Sequence, residues 1–379
     1  MSGASGSSKI LFADQLRGLA AMSVVLTHLC GIYWFQKELI AGITFSPVQP
    51  AAVPGWVISL LSSIPVNPGP LGVSIFFLIS GLVIPFSFRH NNTRSFLQAR
   101  LLRIFPTYLA ILAIGLLARW ASSVFWGQPF SVEPLTLIAN ALLIHDLGAM
   151  ASLDLVNWTL LIELKFYLLF AFGRGLIARW RGDFVLGLAL AVFGLTLAAQ
   201  VVAPMLVPRL GMVLLGLVTE AMYLPFMLLG TLMYLRLQGQ IGLVHWLTTT
   251  AATLVVFAVT WKLGPSAASY SDAGVTYLWS FGAFLIFFLA RRLARPLAPL
   301  RWMSAISYPF YLVHSMLGYV LLQVLTMGYG LGYAPALALA VGASLVVAWI
   351  IHLLVERPSI TLGKRLGRSP AVLPPALPA

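Results

Sequence analysis

Arg17 and His28 stand eleven positions apart in an otherwise apolar opening segment, Leu11–Leu29. As a helix this segment rises about 16 Å between them, three turns that return both side chains to one face. An ionisable group in lipid is costly, and a helix that keeps one usually turns it toward an internal cavity where it handles a substrate. The pair therefore predicts a membrane-embedded site with polar groups at two depths.

A second stripe lies in the fourth apolar segment, where Glu163 and Tyr167 are four apart and Thr159 sits one turn before Glu163. A hydroxyl, a carboxylate and a phenol then share a helix face, just below Asn157 and Trp158. If the first helix runs outward and the fourth inward, Arg17 belongs near the inner third, His28 near the outer end, and Glu163 in the outer third within reach of His28. A histidine oriented by a carboxylate suits a general base that takes a proton from a hydroxyl nucleophile. Polar packing contacts between helices would need the same spacing, so that reading stays open. Lys165 projects elsewhere and is expected to snorkel or pair. Glu220 falls at a similar outer depth, and His314 follows Ser307, Tyr308 and Tyr311 toward mid-membrane. His145, Asp146 and Asp154, on an outer connection, are expected to be solvated surface.

Composition sets the frame for these residues. Hydrophobic residues make up 60% of the 379 and charged residues 9%, and mean hydropathy is +0.94. Such values exclude a soluble globular domain and fit a polytopic, all-α membrane bundle. Apolar runs long enough to span a bilayer begin near Leu11, Leu71, Ile104, Asn157, Phe184, Met212, Ile241, Ala273, Ser304 and Tyr333, giving about ten transmembrane helices. With the first starting inside, the clusters Arg89/Arg94/Arg100/Arg103, Arg174/Arg179/Arg181, Arg236, Arg291/Arg292/Arg295/Arg301 and Arg357/Lys364/Arg365/Arg368 all fall on the cytoplasmic side. Lys37, Arg209 and Lys262 are nearly all that remains outside. Both termini are therefore expected to be cytoplasmic, and the net charge of +13 reports orientation rather than nucleic-acid binding. The organisation expected is one transmembrane domain over 1–366 and a disordered Pro/Ala-rich tail over 367–379. Gly31–Pro70 and Gly127–Val156 read as long outer loops and Arg89–Arg103 as a basic inner one. Cys30 is the lone cysteine, which rules out a disulfide framework. His28 and His314 lack a ligand cluster in sequence, so no metal is expected.

Two further stretches carry possible binding chemistry. In "PLGVSIFFLISGLVIP", Pro70–Pro85, the small residues Gly72, Ser74, Ser80 and Gly81 permit either close helix approach or passage of a ligand chain. Arg100 and Arg103, one turn apart near the inner interface, fit the phosphates of a nucleotide-like donor and equally fit anionic lipid headgroups.

Taken in order, several motifs carry a likeness. They are Asp14, Arg17 and Gly18 followed by His28; "GVSIFFLISGLVI" at Gly72–Ile84; Arg100 and Arg103 with Pro106 and Tyr108; "NWTLLIELKFYLLF" at Asn157–Phe170; "ISYPFYLVH" at Ile306–His314; and Glu356-Arg357-Pro358. The ordered set closely resembles the acyltransferase-3 family of bacterial membrane acyltransferases, which O-acylate cell-surface glycans and some small molecules. Gln15 stands where that family often has glycine, which leaves the charged residues in place.

The resemblance implies a multi-pass protein of the bacterial inner membrane with acyl-CoA, acetyl-CoA in first place, as co-substrate on the cytoplasmic side. The acceptor would be a glycan or other hydroxylated molecule presented outside. His28 and Glu163 would be catalytic, and Arg17, Asp14, Arg100 and Arg103 would hold the donor, with Asp14 pairing to Arg17. Tyr167, Trp158, His314 and Ser80 would support the substrates. Some members append a soluble periplasmic domain; this chain is expected to stand alone, leaving open a separate envelope partner protein. The rival reading is a proton-coupled transporter or flippase of a glycolipid or small solute, because intramembrane His, Glu and Arg also mark such pathways. A purely structural scaffold would leave the costly buried charges without purpose.

Overall fold

The computed structural model describes residues 11–87 and 92–366. Arg89 and the 367–379 tail lie outside the described residues. Among those described, the regular structure is entirely helical, and ten helices are long enough to cross a bilayer: α1 (Leu11–Phe35), α2 (Pro68–Ser87), α3 (Thr93–Trp126), α4 (Trp158–Trp180), α5 (Gly182–Met205), α6 (Pro208–Leu237), α7 (Leu243–Leu263), α8 (Ala267–Leu289), α9 (Ala298–Gly328) and α10 (Tyr333–Leu366). Nine of the ten are also apolar enough to span by composition. The exception is α4, which carries Glu163, Lys165, Arg174 and Arg179.

Helices α9, α1 and α2 form the centre: α9 packs along α1 and α10, and α2 lies between α1 and the second half of α6, Tyr223–Leu237. Glycine decides how close these helices come. A side chain at Gly81 would collide with the Met227 carbonyl, one at Gly230 with the Leu78 carbonyl, and one at Gly72 with the Ala20 carbonyl. The space at Gly72 and Gly81 is therefore filled by neighbouring backbones rather than left open to a ligand chain. The Val73, Phe76 and Ser80 face of the same helix borders a cavity.

The connections differ from their expected form. Helix α1 continues to Phe35 through a π-helical turn, Thr27–Ile32. The rest of the first outer connection contains helices Lys37–Thr44 and Gly55–Ser63 and is tied to the bundle by Gln49, which donates to the Tyr33 hydroxyl at 3.1 Å. The expected inner loop is mostly helix: Asn92 accepts from the Ser95 N–H at 2.8 Å and caps α3, so Arg94, Arg100 and Arg103 sit on its first turns.

The second outer connection folds back into the bundle. Asn157 is fully buried and donates to the Tyr108 hydroxyl at 3.3 Å and to Asn140 Oδ1 at 3.1 Å. Tyr108 precedes the end of α3 at Trp126 by 18 residues, about 27 Å of helix rise. Helix α4 therefore starts well inside the molecule. His145 and Asp154 are buried at 4% and 7% exposure, not solvated as expected. Asp154 Oδ1 accepts from the Val156 and Asn157 amides at 2.5 and 3.2 Å and so initiates α4. Burial holds the Asp154 carboxyl up at about 6, against these amides and nearby Arg119, which pull it down. Lys165 pairs with Asp146 at 2.6 Å and with Glu220, fastening the folded-in connection to α4 and α6.

Candidate functional site

Two cavities lie along the bundle axis, with a groove beyond them. The inner one, about 70 Å3, is bordered by Arg17, Ser80, Arg103, Glu163, Tyr308 and Tyr311. Glu163 accepts a hydrogen bond from the Tyr167 hydroxyl at 2.5 Å and a long one from Ser80 Oγ at 3.5 Å. Three guanidiniums, those of Arg17, Arg103 and Arg100, are its electrostatic neighbours. Arg100 is turned aside: it stacks on Phe96 and Tyr167, each 5.4 Å from the ring centre, and donates to Ser87 Oγ at 2.5 Å. The two guanidiniums bordering the cavity are thus Arg17 and Arg103, rather than Arg100 and Arg103. Asp14 is exposed and lies beyond ion-pair distance of Arg17, although its charge acts on that guanidinium ahead of that of Glu163.

The outer cavity, about 270 Å3, is bordered by His28, Trp158, Tyr223, Trp261, Tyr277 and Tyr311. His28 sits on the π-helical turn of α1, a distortion frequent at functional sites because it offsets one side chain from the regular ladder. Its Nδ1 lies 2.8 Å from the Tyr319 hydroxyl. The ring meets that of His314 edge-on with centroids 5.0 Å apart. His314 Nδ1 lies 3.0 Å from the Phe310 carbonyl, which can only accept, so Nδ1 carries the proton and Nε2 is the buried lone-pair nitrogen.

His28 and Glu163 do not meet. Their hydrogen-bond partners are separate, and they border different cavities. The inward fold of the second outer connection is the cause: α4 starts deep, so Glu163 falls beside Arg17 and Arg103 instead of near the outer surface. The residue that orients His28 is Tyr319, which sequence reasoning passed over. It lies five positions after His314 on α9, about 140° round the helix from it, so helical spacing offered no signal for it. Tyr223, Trp261 and Tyr277 were missed for a different reason, since aromatic residues in apolar helices look alike whether they face lipid, core or cavity.

Val73 and Tyr311 border both cavities. The Tyr311 hydroxyl is held by Thr159 Oγ1 at 2.9 Å and the Val156 carbonyl at 3.2 Å, so this partition is anchored to the start of α4. Thr27 and Ile32 in turn border both the outer cavity and an open groove of about 490 Å3 that includes Phe35, Asn67, Asp272 and Trp279. The three spaces stand in series from the arginine-rich end to the opposite face. Charged groups at one end, an imidazole further along and an open groove beyond can bring two reactants to one point from opposite sides.

A family model described as an acyltransferase domain matches residues 10–353, a span that contains every residue of both cavities. Nodulation protein 10 of Rhizobium leguminosarum bv. viciae is 30% identical over 168 residues. That match covers 38% of this chain and 42% of the relative, so the chain spans less than half the length of the curated relative it matches. No solved structure matches.

Proposed function

The chain belongs to the acyltransferase-3 family, and from that premise we propose that it moves an acyl group, acetyl in first place, across a bacterial cytoplasmic membrane. The donor is an acyl-CoA-type thioester on the arginine-rich side, and the acceptor is a hydroxyl of a glycan or related molecule arriving through the outer groove. The observation that carries this reading is the serial arrangement: His28 borders a cavity that shares the wall residues Val73 and Tyr311 with one bordered by Arg17 and Arg103.

In this reading Arg103 and Arg17 attract the anionic portion of the donor, and Arg100, stacked on Tyr167, braces that side. Glu163 keeps the two guanidiniums from repelling each other in the absence of donor. The inner cavity, about 70 Å3, holds roughly two waters, so the thioester arm enters by displacing the Tyr311 partition. His28, with its Nδ1 proton directed to Tyr319, presents Nε2 to the acceptor and takes the hydroxyl proton. The oxygen attacks the thioester carbon, the C–S bond breaks, and the departing thiolate takes the proton back from the imidazolium. An ester and a free thiol result. Trp158 walls the chamber around His28, and His314 braces the imidazole edge-on from behind.

The test uses purified protein in liposomes given acetyl-CoA outside its arginine-rich face and an envelope glycolipid extract at the other. Free CoA thiol should accumulate with the wild type and stop with His28→Ala, at equal protein abundance. Movement of the glycolipid without thiol release would instead establish a transporter or flippase.

A further inference from the structure

The outer cavity holds three phenols, and they differ in what their hydroxyls already do. Tyr311 is committed to Thr159 and the Val156 carbonyl, and Tyr223, 8% exposed, makes no hydrogen bond among the described residues, but its hydroxyl is not fully enclosed. Tyr277 is not committed: its side chain is 2% exposed, it borders the same cavity as His28, and its hydroxyl is buried without a hydrogen-bond partner. A buried hydroxyl left unpaired costs about 1–3 kcal/mol, and a folded protein carries such a group at a cavity wall when something else pairs with it.

The surroundings of Tyr277 fix where that hydroxyl stands. Its ring is enclosed by Phe226, Trp261 and Tyr223, with centroids 4.9, 5.1 and 5.6 Å away. Just before it, α8 passes through a second π-helical turn, Tyr270–Gly274, with Gly274 fitted against Tyr270 and Trp261. The two π-helical turns, one carrying His28 and one leading into Tyr277, thus face the same chamber. Rings on several sides leave the phenol no freedom to reorient, which is the condition for a donor whose alignment costs nothing at the moment of reaction.

We infer that Tyr277 donates its hydroxyl hydrogen to the acyl carbonyl oxygen and holds the negative charge that grows there. The inference rests on the acyl-transfer reading above. As the acceptor oxygen, losing its proton to His28 Nε2, bonds to the thioester carbon, the carbonyl pair moves onto oxygen and is met by the Tyr277 O–H. When the C–S bond breaks the pair returns, the carbonyl reforms, and the imidazolium proton goes to the thiolate. The phenol keeps its own proton throughout and needs no further reactant. Tyr167, whose hydroxyl is spent on Glu163 at the inner cavity, has no such role.

Tyr277→Phe removes one oxygen and leaves the packed ring. Turnover of acetyl-CoA should fall about 100-fold, the usual cost of one such donor, with the donor KM unchanged. Thermal stability should hold or rise, because the unpaired buried hydroxyl is gone. A tyrosine that merely packs would give the opposite pattern, full turnover with lower or equal stability, and would overturn the inference. So would a Tyr223→Phe variant that shows the loss in place of Tyr277→Phe. Wild-type protein that releases no thiol overturns the acyl-transfer reading itself and this inference with it, whereas an active wild type matched by an active Tyr277→Phe overturns this inference alone.

Discussion

Replacing Lys165 by methionine preserves the length of the side chain and removes the one cation between Asp146 and Glu220. At 2.6 Å from Asp146, and with the effective dielectric of about 20 suited to partly buried pairs, the gross attraction is about 6 kcal/mol. The lysine side chain is 27% exposed and the carboxylates 9% and 15%, so water screens part of that attraction. Desolvation already paid by the two acids offsets more of it. Breaking the cluster leaves two nearby carboxylates without a cation, and the expected net loss is about 3 kcal/mol, near the lower end for a buried pair that loses one partner. Thermal unfolding of the purified protein in one fixed detergent reads this as a drop of several degrees. Limited proteolysis over 142–157 should accelerate as well, because the folded-in connection loses its fastening to α4 and α6. The triple variant Lys165→Met, Asp146→Asn, Glu220→Gln should recover most of the loss, since charge and countercharge leave together. An unchanged melting temperature in the single variant, or a triple variant no better than the single, would refute the assignment of the cluster as the anchor of the connection.

Two other outcomes follow from the same geometry. Glu163→Gln removes the carboxylate beside Arg17 and Arg103 and should tighten the binding of an anionic donor several-fold at low salt, with the gain shrinking as ionic strength rises. The pH profile of turnover should keep its shape, because Glu163 does not touch His28; a shifted profile with unchanged donor affinity would contradict this. For Asp154, whose folded carboxyl is raised to about 6 from an ordinary value of 3.8, the folded chain binds more protons than the unfolded one between those values. Stability should therefore fall as pH climbs through that window, by about 3 kcal/mol in all, and level off above it. Asp154→Asn keeps an oxygen for the Val156 and Asn157 amides, so it should flatten that slope and melt higher than wild type at pH 8. An equal slope in both proteins would count against the burial argument.

Much of the architecture was legible from hydropathy and charge because lipid imposes length and polarity on every crossing. The segments starting near Leu11, Asn157 and Tyr333 coincide with the starts of α1, α4 and α10. Arg17, Arg103 and His28 could be singled out for the same reason, since an ionisable residue in such a helix stands out against its neighbours. Depth was not legible wherever it depended on an irregular segment. The stretch 127–156 has no hydrophobic period that would reveal whether it rests on the surface or folds inward, and that one ambiguity misplaced Glu163 relative to His28 and left His145 and Asp154 as expected surface. Arg100 shows a related limit: one turn from Arg103 on the helix, it is captured by the rings of Phe96 and Tyr167, and those rings come from two different helices. The uncommitted hydroxyl of Tyr277 is visible only once the neighbours of all three phenols are known.

The partition formed by Val73 and Tyr311 bears on the cell as much as on the reaction. A bilayer that stores ion gradients tolerates no permanent hole, yet in the proposed reaction a thioester from one compartment would have to meet an alcohol from the other. On that reading one aromatic ring, hydrogen-bonded to a threonine and a backbone oxygen, would make the molecule an airlock: the acyl end handed through while protons and ions find no continuous water column to follow.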